Sequence, residues 1–328
     1  MPMNVPQVTG YLSDRFEHVR NVVPVRAGAW STPYFFDARV DGIDRELVVR
    51  FGPHRDDFIK DALASGWSSP ELPVPRAFAL LRAGDDFGAV TERRSGVYLE
   101  DLDVNGWSRA LPRVFDAIDR LRRVPLRTDL PAQVVVDEGV DVGLDSAQLG
   151  LGLSWRDWLT SLSDDPGERG GGWSGPLAAS PTGDRSFHEG MELLASLTDG
   201  LEPPRSFVHC DLLNRNVTVA GDGSALRAVF DWGCLFAGDY LYDVAWLEFW
   251  APWHSGLAAH DIRAAARARF EATDPVAELF DLRMRVCAIH IGLCHLAYSA
   301  YVGKPDGIAA CDRRMASYDA RRDASAAD

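Results

Sequence analysis

Three residues with oxygen-bearing side chains, Asp211, Asn216 and Asp231, stand at the ends of short apolar segments in the second half of the chain. The segments 217–219 and 226–230 predict two strands joined by a Gly-Asp-Gly turn. Because a hairpin brings its two outer ends together, Asn216 and Asp231 are expected to emerge side by side, with Asp211 one short loop away. Such oxygens can hold Mg²⁺ together with substrate phosphates and water, and a further carboxylate can accept a hydroxyl proton. The pattern predicts phosphoryl transfer.

Each of these residues alone has an ordinary structural explanation, since Asp and Asn commonly form turns at strand ends. The combination is much more specific: the sequence reads H-x-D-x-x-x-x-N from His209, then a hairpin, and then D-W-G. A strand-bounded pattern of this length is hard to obtain by accident, which favours a functional interpretation.

The two loops resemble the catalytic and metal-binding loops of the aminoglycoside phosphotransferase family, whose members are related to the protein kinases. Within that family, the Trp-x-Pro-Trp string at 250–253 is similar to the subgroup that phosphorylates hygromycin B at its 4-hydroxyl group. The resemblance covers most of the chain. It also includes Val49-Arg50-Phe51, Leu72-Pro73-Val74-Pro75 and Trp155-Arg156-Asp157.

The resemblance implies a role for each residue of the pattern. Asp211 corresponds to the catalytic base, while Asn216 and Asp231 correspond to magnesium ligands. His209 is expected to brace the loop, which agrees with its reading as an ordinary structural histidine.

Two further aspartates follow the D-W-G motif. Asp243 is expected to accept backbone hydrogen bonds that hold the catalytic loop. Asp239, directly after Gly238, is either a turn or cap residue or a second support, and we expect a support role.

The nucleotide-binding signals are weaker. The sequence has neither a G-x-x-x-x-G-K-[ST] loop nor a full G-x-G-x-x-G, and the corresponding stretch 26–32 contains only Gly28. Ser31 and nearby backbone N–H groups could cover phosphates, or the stretch is an ordinary hairpin turn. The hinge is expected near Glu92 to Arg94, where backbone groups would read the purine of ATP or GTP.

Arg50 stands where the kinases have the strand lysine that binds phosphates. A guanidinium group can supply the same charge, and Val48 shares its predicted strand face. The alternative is an arginine that faces solvent. We expect the phosphate role, with Asp61 as the first candidate for its acidic helix partner and Asp57 as the second.

The acceptor side rests on Glu248, Trp250 and Trp253, which follow a helix start near residue 242. Carboxylates pair with ammonium groups, and aromatic faces pack against sugar rings, so these residues suit a cationic, sugar-containing substrate. The alternative, equally supported, is that both tryptophans belong to the core.

The elements that must position these residues are predicted to form an α+β, protein-kinase-like fold of two lobes. A small β-rich nucleotide-binding lobe is expected over residues 1–93 and a larger, mainly helical lobe over 94–328, with the hinge at about 92–100.

Strands are predicted at 34–40, 46–51 and 87–91, with a single helix at 57–65 in the first lobe. Helices are predicted at 111–121, 155–162, 187–197 and 276–302. The segment 164–185, rich in Gly, Pro and Ser, predicts a mobile loop without its own core, and the tail after Tyr318 is expected to be frayed.

The bulk composition narrows the class of partner. The formal net charge of −14 over 328 residues disfavours nucleic acid, which requires clustered Lys and Arg. It permits a cationic small molecule, although acidity also serves solubility. No apolar run or signal peptide predicts a membrane protein, and five cysteines without C-x-x-C spacing suit the cytoplasm. The oligomeric state is left open.

Two other interpretations compete with an antibiotic-modifying kinase. A metabolic kinase for a sugar, an amino alcohol or a choline-like compound would use the same loops. A non-catalytic kinase-like binding module is suggested only by Arg50 and the single glycine at 28, and the complete set of magnesium-site residues speaks against it.

Overall fold

The computed structural model of the chain describes residues 3–26, 28, 30–147, 149–165 and 171–319. The strands are β1 (Glu17–Pro24), β2 (Thr32–Val40), β3 (Ile43–Gly52), β4 (Ala77–Ala83), β5 (Asp86–Glu92), β6 (Val97–Tyr98), β7 (Val135–Val136), β8 (Ser206–Val208), β9 (Val217–Val219), β10 (Leu226–Val229) and β11 (Phe236–Gly238). The helices are α1 (Val5–Ser13), α2 (Arg55–Ser65), α3 (Val104–Leu121), α4 (Trp155–Thr160), α5 (Ser174–Ala178), α6 (Arg185–Leu197), α7 (Leu241–Trp250), α8 (Ser255–Ala258), α9 (Ile262–Phe270), α10 (Phe280–Tyr301) and α11 (Pro305–Asp319).

The chain packs as two units. The first contains the residues up to 145 together with 213–235, and the second contains 146–212 and the residues from 236 onward. The hairpin of β9 and β10 therefore packs with the first unit although it follows β8 of the second in sequence. The lobe boundary expected at residue 93 stays a prediction.

The first unit is built on a mostly antiparallel sheet with the order β1-β2-β3-β5-β4-β7. Strict alternation along β3 buries Leu47, Val49 and Phe51 on one face, where Val8 and Leu12 of α1 pack. The intervening residues, Arg50 among them, therefore point to the opposite face.

Helix α2 covers that opposite face. Its apolar residues Phe58, Ile59 and Ala62 recur at helical spacing and pack with Leu80 and Ala89 of the sheet. Two acidic residues in the first turn complement the positive end of the helix dipole. The polar residues of α2 are thus brought close to Arg50.

A second, small sheet of the first unit has the order β10-β9-β6. Val217 of β9 lies opposite Val229 of β10, and the N–H of Phe230 donates to the carbonyl of Asn216 at 3.0 Å. Residues 216 and 231 therefore lie at the same open end of the hairpin, as the sequence predicted.

The second unit is mainly helical. Helix α10 is buried along most of its 22 residues, and α5, α6, α7 and α11 pack against it. The pair of β8 and β11 is antiparallel, with Ser206 opposite Gly238 and Val208 opposite Phe236. Within the described part of the chain, no helix has the length and apolarity that crossing a bilayer demands.

A buried ion network ties α10 to the start of α7. The guanidinium of Arg283 donates to both carboxylate oxygens of Asp239, at 2.6 Å each, and to Asp274 at 2.6 Å. The Tyr240 hydroxyl also donates to Asp274, at 2.6 Å. All three charged side chains are essentially inaccessible to water, so each depends on the others for solvation.

Two predictions about local structure were wrong. The first 93 residues contain two helices, α1 and α2, where the sequence predicted one. The segment expected to be a loop without a core contains α5, and its residues Trp173 and Leu177 are buried. Large apolar side chains outweigh a Gly- and Ser-rich composition there. Residues 166–170 of that segment, and the tail from residue 320, lie outside the described residues.

We predict that Arg283→Met lowers the free energy of unfolding by about 3–5 kcal/mol, because two buried carboxylates lose the guanidinium that binds them both. Thermal melting of the purified variant measures this. Arg156→Met is the matched control, because Arg156 pairs with Asp199 at an exposed position, where the loss is expected to stay below about 1 kcal/mol. Equal shifts in melting temperature for the two variants would contradict the prediction.

Candidate active site

Arg50 connects the sheet of the first unit to the D-W-G segment. Its guanidinium binds Asp61 of α2 through Nη2, and its Nη1 lies 3.1 Å from Oδ1 of Asp231. The Asp61 side chain is 6 % exposed, whereas that of Asp231 is 45 % exposed. The structure thus gives Arg50 the helix partner that the sequence ranked first, rather than Asp57, and excludes an arginine that merely faces solvent.

The backbone of the D-W-G segment is held by the same helix. The second oxygen of Asp61 accepts a hydrogen bond from the N–H of Trp232 at 2.8 Å. The Trp232 ring meets Trp67 edge to face and donates its indole N–H to the carbonyl of Val229. Asp231 itself has a φ of 65°, in the left-handed region that a side chain disfavours.

This end of the hairpin has the donor set that Mg²⁺ requires. Asp231 has a half-exposed carboxylate, and the buried Asn216, whose side chain carries an amide oxygen, lies at the neighbouring strand end. Among the described residues, no group of three or more His, Cys, Asp or Glu is arranged as a metal site. Two protein oxygens, completed by phosphates and water, are a usual set for Mg²⁺, so the residues fit that ion.

In the second unit, Asp243 holds the loop that follows β8. Its two carboxylate oxygens accept the N–H groups of His209, at 2.9 Å, and Cys210, at 2.7 Å. These are the backbone hydrogen bonds that the sequence predicted. The carboxylate is fully buried, and burial raises the pKa of Asp243 to about 6, although the two N–H donors act in the opposite direction.

Asp211 is positioned by the residues just before it. Its N–H donates to Nδ1 of the buried His209 at 3.2 Å, while Cys210 between them has a φ of 66°. His209 therefore braces the loop through the backbone of Asp211. The Asp211 side chain lies at an intermediate depth, reachable from solvent.

Asp239 supports a different place. It follows β11 at the end of the β8–β11 pair that is opposite to His209, caps the N–H of Leu241 at 3.0 Å and binds Arg283. It therefore acts as a cap residue, one of the two readings that the sequence left open, and it also anchors α10.

The short stretch between β1 and β2 lies close to β3. The N–H of Gly28 donates to the carbonyl of Ser31, and a Cβ on Gly52 would lie 2.4 Å from the carbonyl of Trp30. Glycine is required at 52 for this approach. Ser31 is half-buried on the turn, so its placement is that of a hairpin residue and leaves its phosphate role a prediction.

The predicted hinge residues line a cleft of about 600 Å³ within the first unit. Glu92 and Arg94 form a partly exposed ion pair at 2.8 Å, and the N–H of Glu92 is bonded to the carbonyl of Arg76. The other wall is the tip of the β9–β10 hairpin, from Val219 to Gly221, with Arg227. The hinge role stays a prediction.

The three predicted acceptor residues lie in different surroundings. Glu248 is 9 % exposed, and its two carboxylate oxygens accept hydrogen bonds from Nε and Nη2 of Arg263, at 3.1 and 2.8 Å. Trp250 is partly buried, and its ring centroid lies 4.5 Å from that of His295. Trp253 is 47 % exposed. The structural interpretation is favoured for Glu248 and Trp250, whereas Trp253 presents a free face.

Sequence reasoning missed two basic residues beside the motif. Arg215 donates its N–H to Glu100 at 2.6 Å and pairs with Asp101 at 3.2 Å, which fixes the segment just before Asn216. Lys60 donates to the carbonyl of Gly233 at 3.0 Å. The acidic pair at 100–101 was a visible signal for Arg215, but Lys60 had none.

A family model described as the phosphotransferase enzyme family matches residues 21–279. The chain belongs to this family. It is 24 % identical to hygromycin-B 4-O-kinase of Escherichia coli over 314 residues. The matched region covers 94 % of this chain and 84 % of that protein.

Solved structures agree with this membership at the level of the fold. The crystal structure of aminoglycoside phosphotransferase APH(4)-Ia matches with a TM-score of 0.74 at 22 % identity, covering 96 % of this chain and 98 % of that one. A ternary complex of a thermostable mutant of APH(4)-Ia with AMP-PNP and hygromycin B matches with a TM-score of 0.70 at 24 % identity, covering 95 % and 97 % of the two chains. The predicted α+β fold, with a β-rich N-terminal region and a mainly helical C-terminal region, is confirmed.

The raised pKa of Asp243 predicts a pH-dependent stability. Between pH 4 and pH 6 the folded state binds more protons at this site than the unfolded state, so stability falls as the pH rises through that window. The total loss is about 3 kcal/mol for a shift of about two pKa units. Asp243→Asn cannot titrate, so its deficit in melting temperature relative to the wild type is expected to shrink from pH 4 to pH 7.

Melting temperatures at half-unit pH intervals test this prediction, with Asp199→Asn as the control because that side chain is 82 % exposed. A difference between Asp243→Asn and the wild type that is constant over the whole range would show that Asp243 ionises at an ordinary pH.

Proposed function

We propose that this chain is an O-phosphotransferase that moves the γ-phosphate of ATP or GTP, bound with Mg²⁺, to a hydroxyl group of an aminoglycoside such as hygromycin B. The observation that carries the proposal is the arrangement at residue 231. There a half-exposed carboxylate at the open end of a hairpin, beside Asn216, lies against an arginine that a buried helix carboxylate holds in place.

Each group of the pattern has a chemical task in this proposal. Asn216 and Asp231 would hold the divalent cation, which neutralises charge on the transferred phosphate. Arg50 would supply positive charge to the phosphates beside Asp231, and its planar guanidinium suits phosphate oxygens. Asp211 accepts or orients the proton of the acceptor hydroxyl, and Asp243 and His209 keep its backbone in one conformation.

The donor nucleotide is proposed to place its base against the hinge. Because the N–H groups of Glu92 and Arg93 are already bonded to the carbonyls of Arg76 and Glu46, the base would read backbone groups from Arg94 onward. The AMP-PNP complex of the related phosphotransferase supports a nucleoside triphosphate as donor. The five cysteines are all free thiols, which suits the reducing cytoplasm where such nucleotides are plentiful.

The acceptor assignment rests on the relatives and on one exposed ring. The Escherichia coli relative is a hygromycin-B kinase, and the solved complex contains hygromycin B. Trp253 offers a 47 % exposed aromatic face of the kind that packs on sugar rings. The net charge of −14 is compatible with a polycationic substrate.

The proposed function predicts that the purified protein transfers one phosphate to hygromycin B when ATP or GTP and Mg²⁺ are present. Mass spectrometry of the products from a panel of aminoglycosides, with ethanolamine and choline as controls, measures the acceptor range. Expression in a sensitive host is expected to protect it. Phosphorylation of the amino alcohols alone would instead identify a metabolic kinase.

The proposed roles also predict different defects for the two aspartates. Asp211→Ala is expected to lower kcat by about 10²–10⁴-fold with nucleotide affinity kept, because only the proton-accepting group is removed. Asp231→Ala is expected to weaken Mg²⁺–nucleotide binding, measured by calorimetry. An equal loss of nucleotide affinity in both variants would overturn the role assignment.

A further inference from the structure

Two neighbouring residues of α2 hold the backbone of the D-W-G segment from outside. The carboxylate of Asp61 accepts the N–H of Trp232 at 2.8 Å, and the ammonium group of Lys60 donates to the carbonyl of Gly233 at 3.0 Å. The negative residue of the pair, Asp61, thus binds a backbone N–H group. The positive residue, Lys60, binds the backbone carbonyl of the next residue in the segment. Asp61 also binds Arg50 of β3.

The residue whose orientation depends on these contacts is Asp231. Its φ of 65° and ψ of 63° are left-handed, which costs about 1–2 kcal/mol for a residue with a side chain. Such a conformation persists only where the surroundings determine it. The next two residues, Trp232 and Gly233, are the ones that α2 binds, and Arg50 contacts the Asp231 carboxylate itself, so the conformation of Asp231 is fixed from both sides.

The identity of the residue at 60 supports a specific task. Of the 34 basic residues, only Lys60 and Lys304 are lysines and the other 32 are arginines. A lysine ammonium is a compact donor on a flexible stem, suited to one carbonyl oxygen, whereas arginine suits paired acceptors such as carboxylates. The half-buried Lys60 donates to the carbonyl of Gly233.

We propose that Lys60 is a positioning residue for phosphoryl transfer. By fixing the carbonyl of Gly233, it keeps the Asp231 carboxylate in the orientation that receives the Mg²⁺–nucleotide. This inference rests on the proposed function, and it concerns affinity for the magnesium-bound donor rather than the proton transfer at the acceptor.

The test is the binding of AMP-PNP by calorimetry over a series of Mg²⁺ concentrations, with three variants. Lys60→Met keeps an unbranched stem and removes the charged donor, and it is expected to weaken Mg²⁺–AMP-PNP binding about ten-fold or more, as loss of a charged hydrogen bond does. Lys60→Arg is expected to recover part of that loss. Lys304→Met, at the other, exposed lysine, is expected to bind like the wild type.

The split between kinetic constants separates positioning from general stability. With Mg²⁺ and nucleotide at saturation, Lys60→Met is expected to reach a kcat within about two-fold of the wild type, because Asp211 is untouched. Wild-type affinity in Lys60→Met would overturn the inference. The inference would also be overturned if Lys60→Met lost the same affinity for AMP-PNP with and without Mg²⁺ and Lys60→Arg recovered none of it.

A second measurement on the wild-type protein decides the matter if Lys60→Met does not fold. With an amine-acylating reagent, Lys60 is expected to react more slowly than Lys304 and to slow further when Mg²⁺–AMP-PNP is bound. Equal, nucleotide-independent rates at both lysines would refute the inference. Since binding and labelling need no acceptor, a wild type that binds Mg²⁺–AMP-PNP but phosphorylates nothing would defeat only the proposed function.

Discussion

A guanidinium group between two carboxylates organises the first unit. Arg50 lies on the sheet face that α2 covers, and it binds Asp61 of that helix and Asp231 at the hairpin end. Asp61 is almost completely buried and would be costly without a cation. These contacts therefore require three features at once. Arg50 must point to the α2 side of β3, α2 must pack its apolar stripe on that side, and β9 must pair with β10 in the observed register. A shift of one residue in β3 would turn Arg50 to the wrong face and leave Asp61 unpaired.

The second unit contains two buried aspartates, Asp239 and Asp243, and their carboxylates are hydrogen-bonded by different kinds of donor. Both oxygens of Asp239 accept N–H groups of the Arg283 guanidinium inside the helical core. Asp243, four residues later, accepts two backbone N–H groups, and burial raises its pKa. The first arrangement anchors α10 strongly. The second fixes the backbone on both sides of Cys210 through the N–H groups of His209 and Cys210.

The parts of the site that depend on short stretches of sequence were predictable. The hairpin followed from its turn and strand residues, so the common end for Asn216 and Asp231 was foreseen. Asp61 was the first of two acidic candidates on the predicted helix, and the structure pairs it with Arg50. The contact of Lys60 with Gly233 joins residues 173 positions apart, and its geometry depends on how α2 lies on the sheet. Glu248 appeared available for a cationic ligand because nothing local reveals that Arg263, fifteen residues later, binds both of its oxygens.

The two basic residues around the D-W-G segment are not interchangeable, and the reason lies in their acceptors. Arg50 must contact carboxylates on two separate elements, which a planar fork with several N–H groups can do and a single ammonium group cannot do with the same geometry. Lys60 contacts one carbonyl oxygen next to a carboxylate that Arg50 already occupies. A guanidinium at 60 would still donate to this carbonyl but would also compete for Asp61, which is why Lys60→Arg is expected to restore only part of the affinity. An otherwise arginine-rich chain therefore has a physical reason to place a lysine at this position.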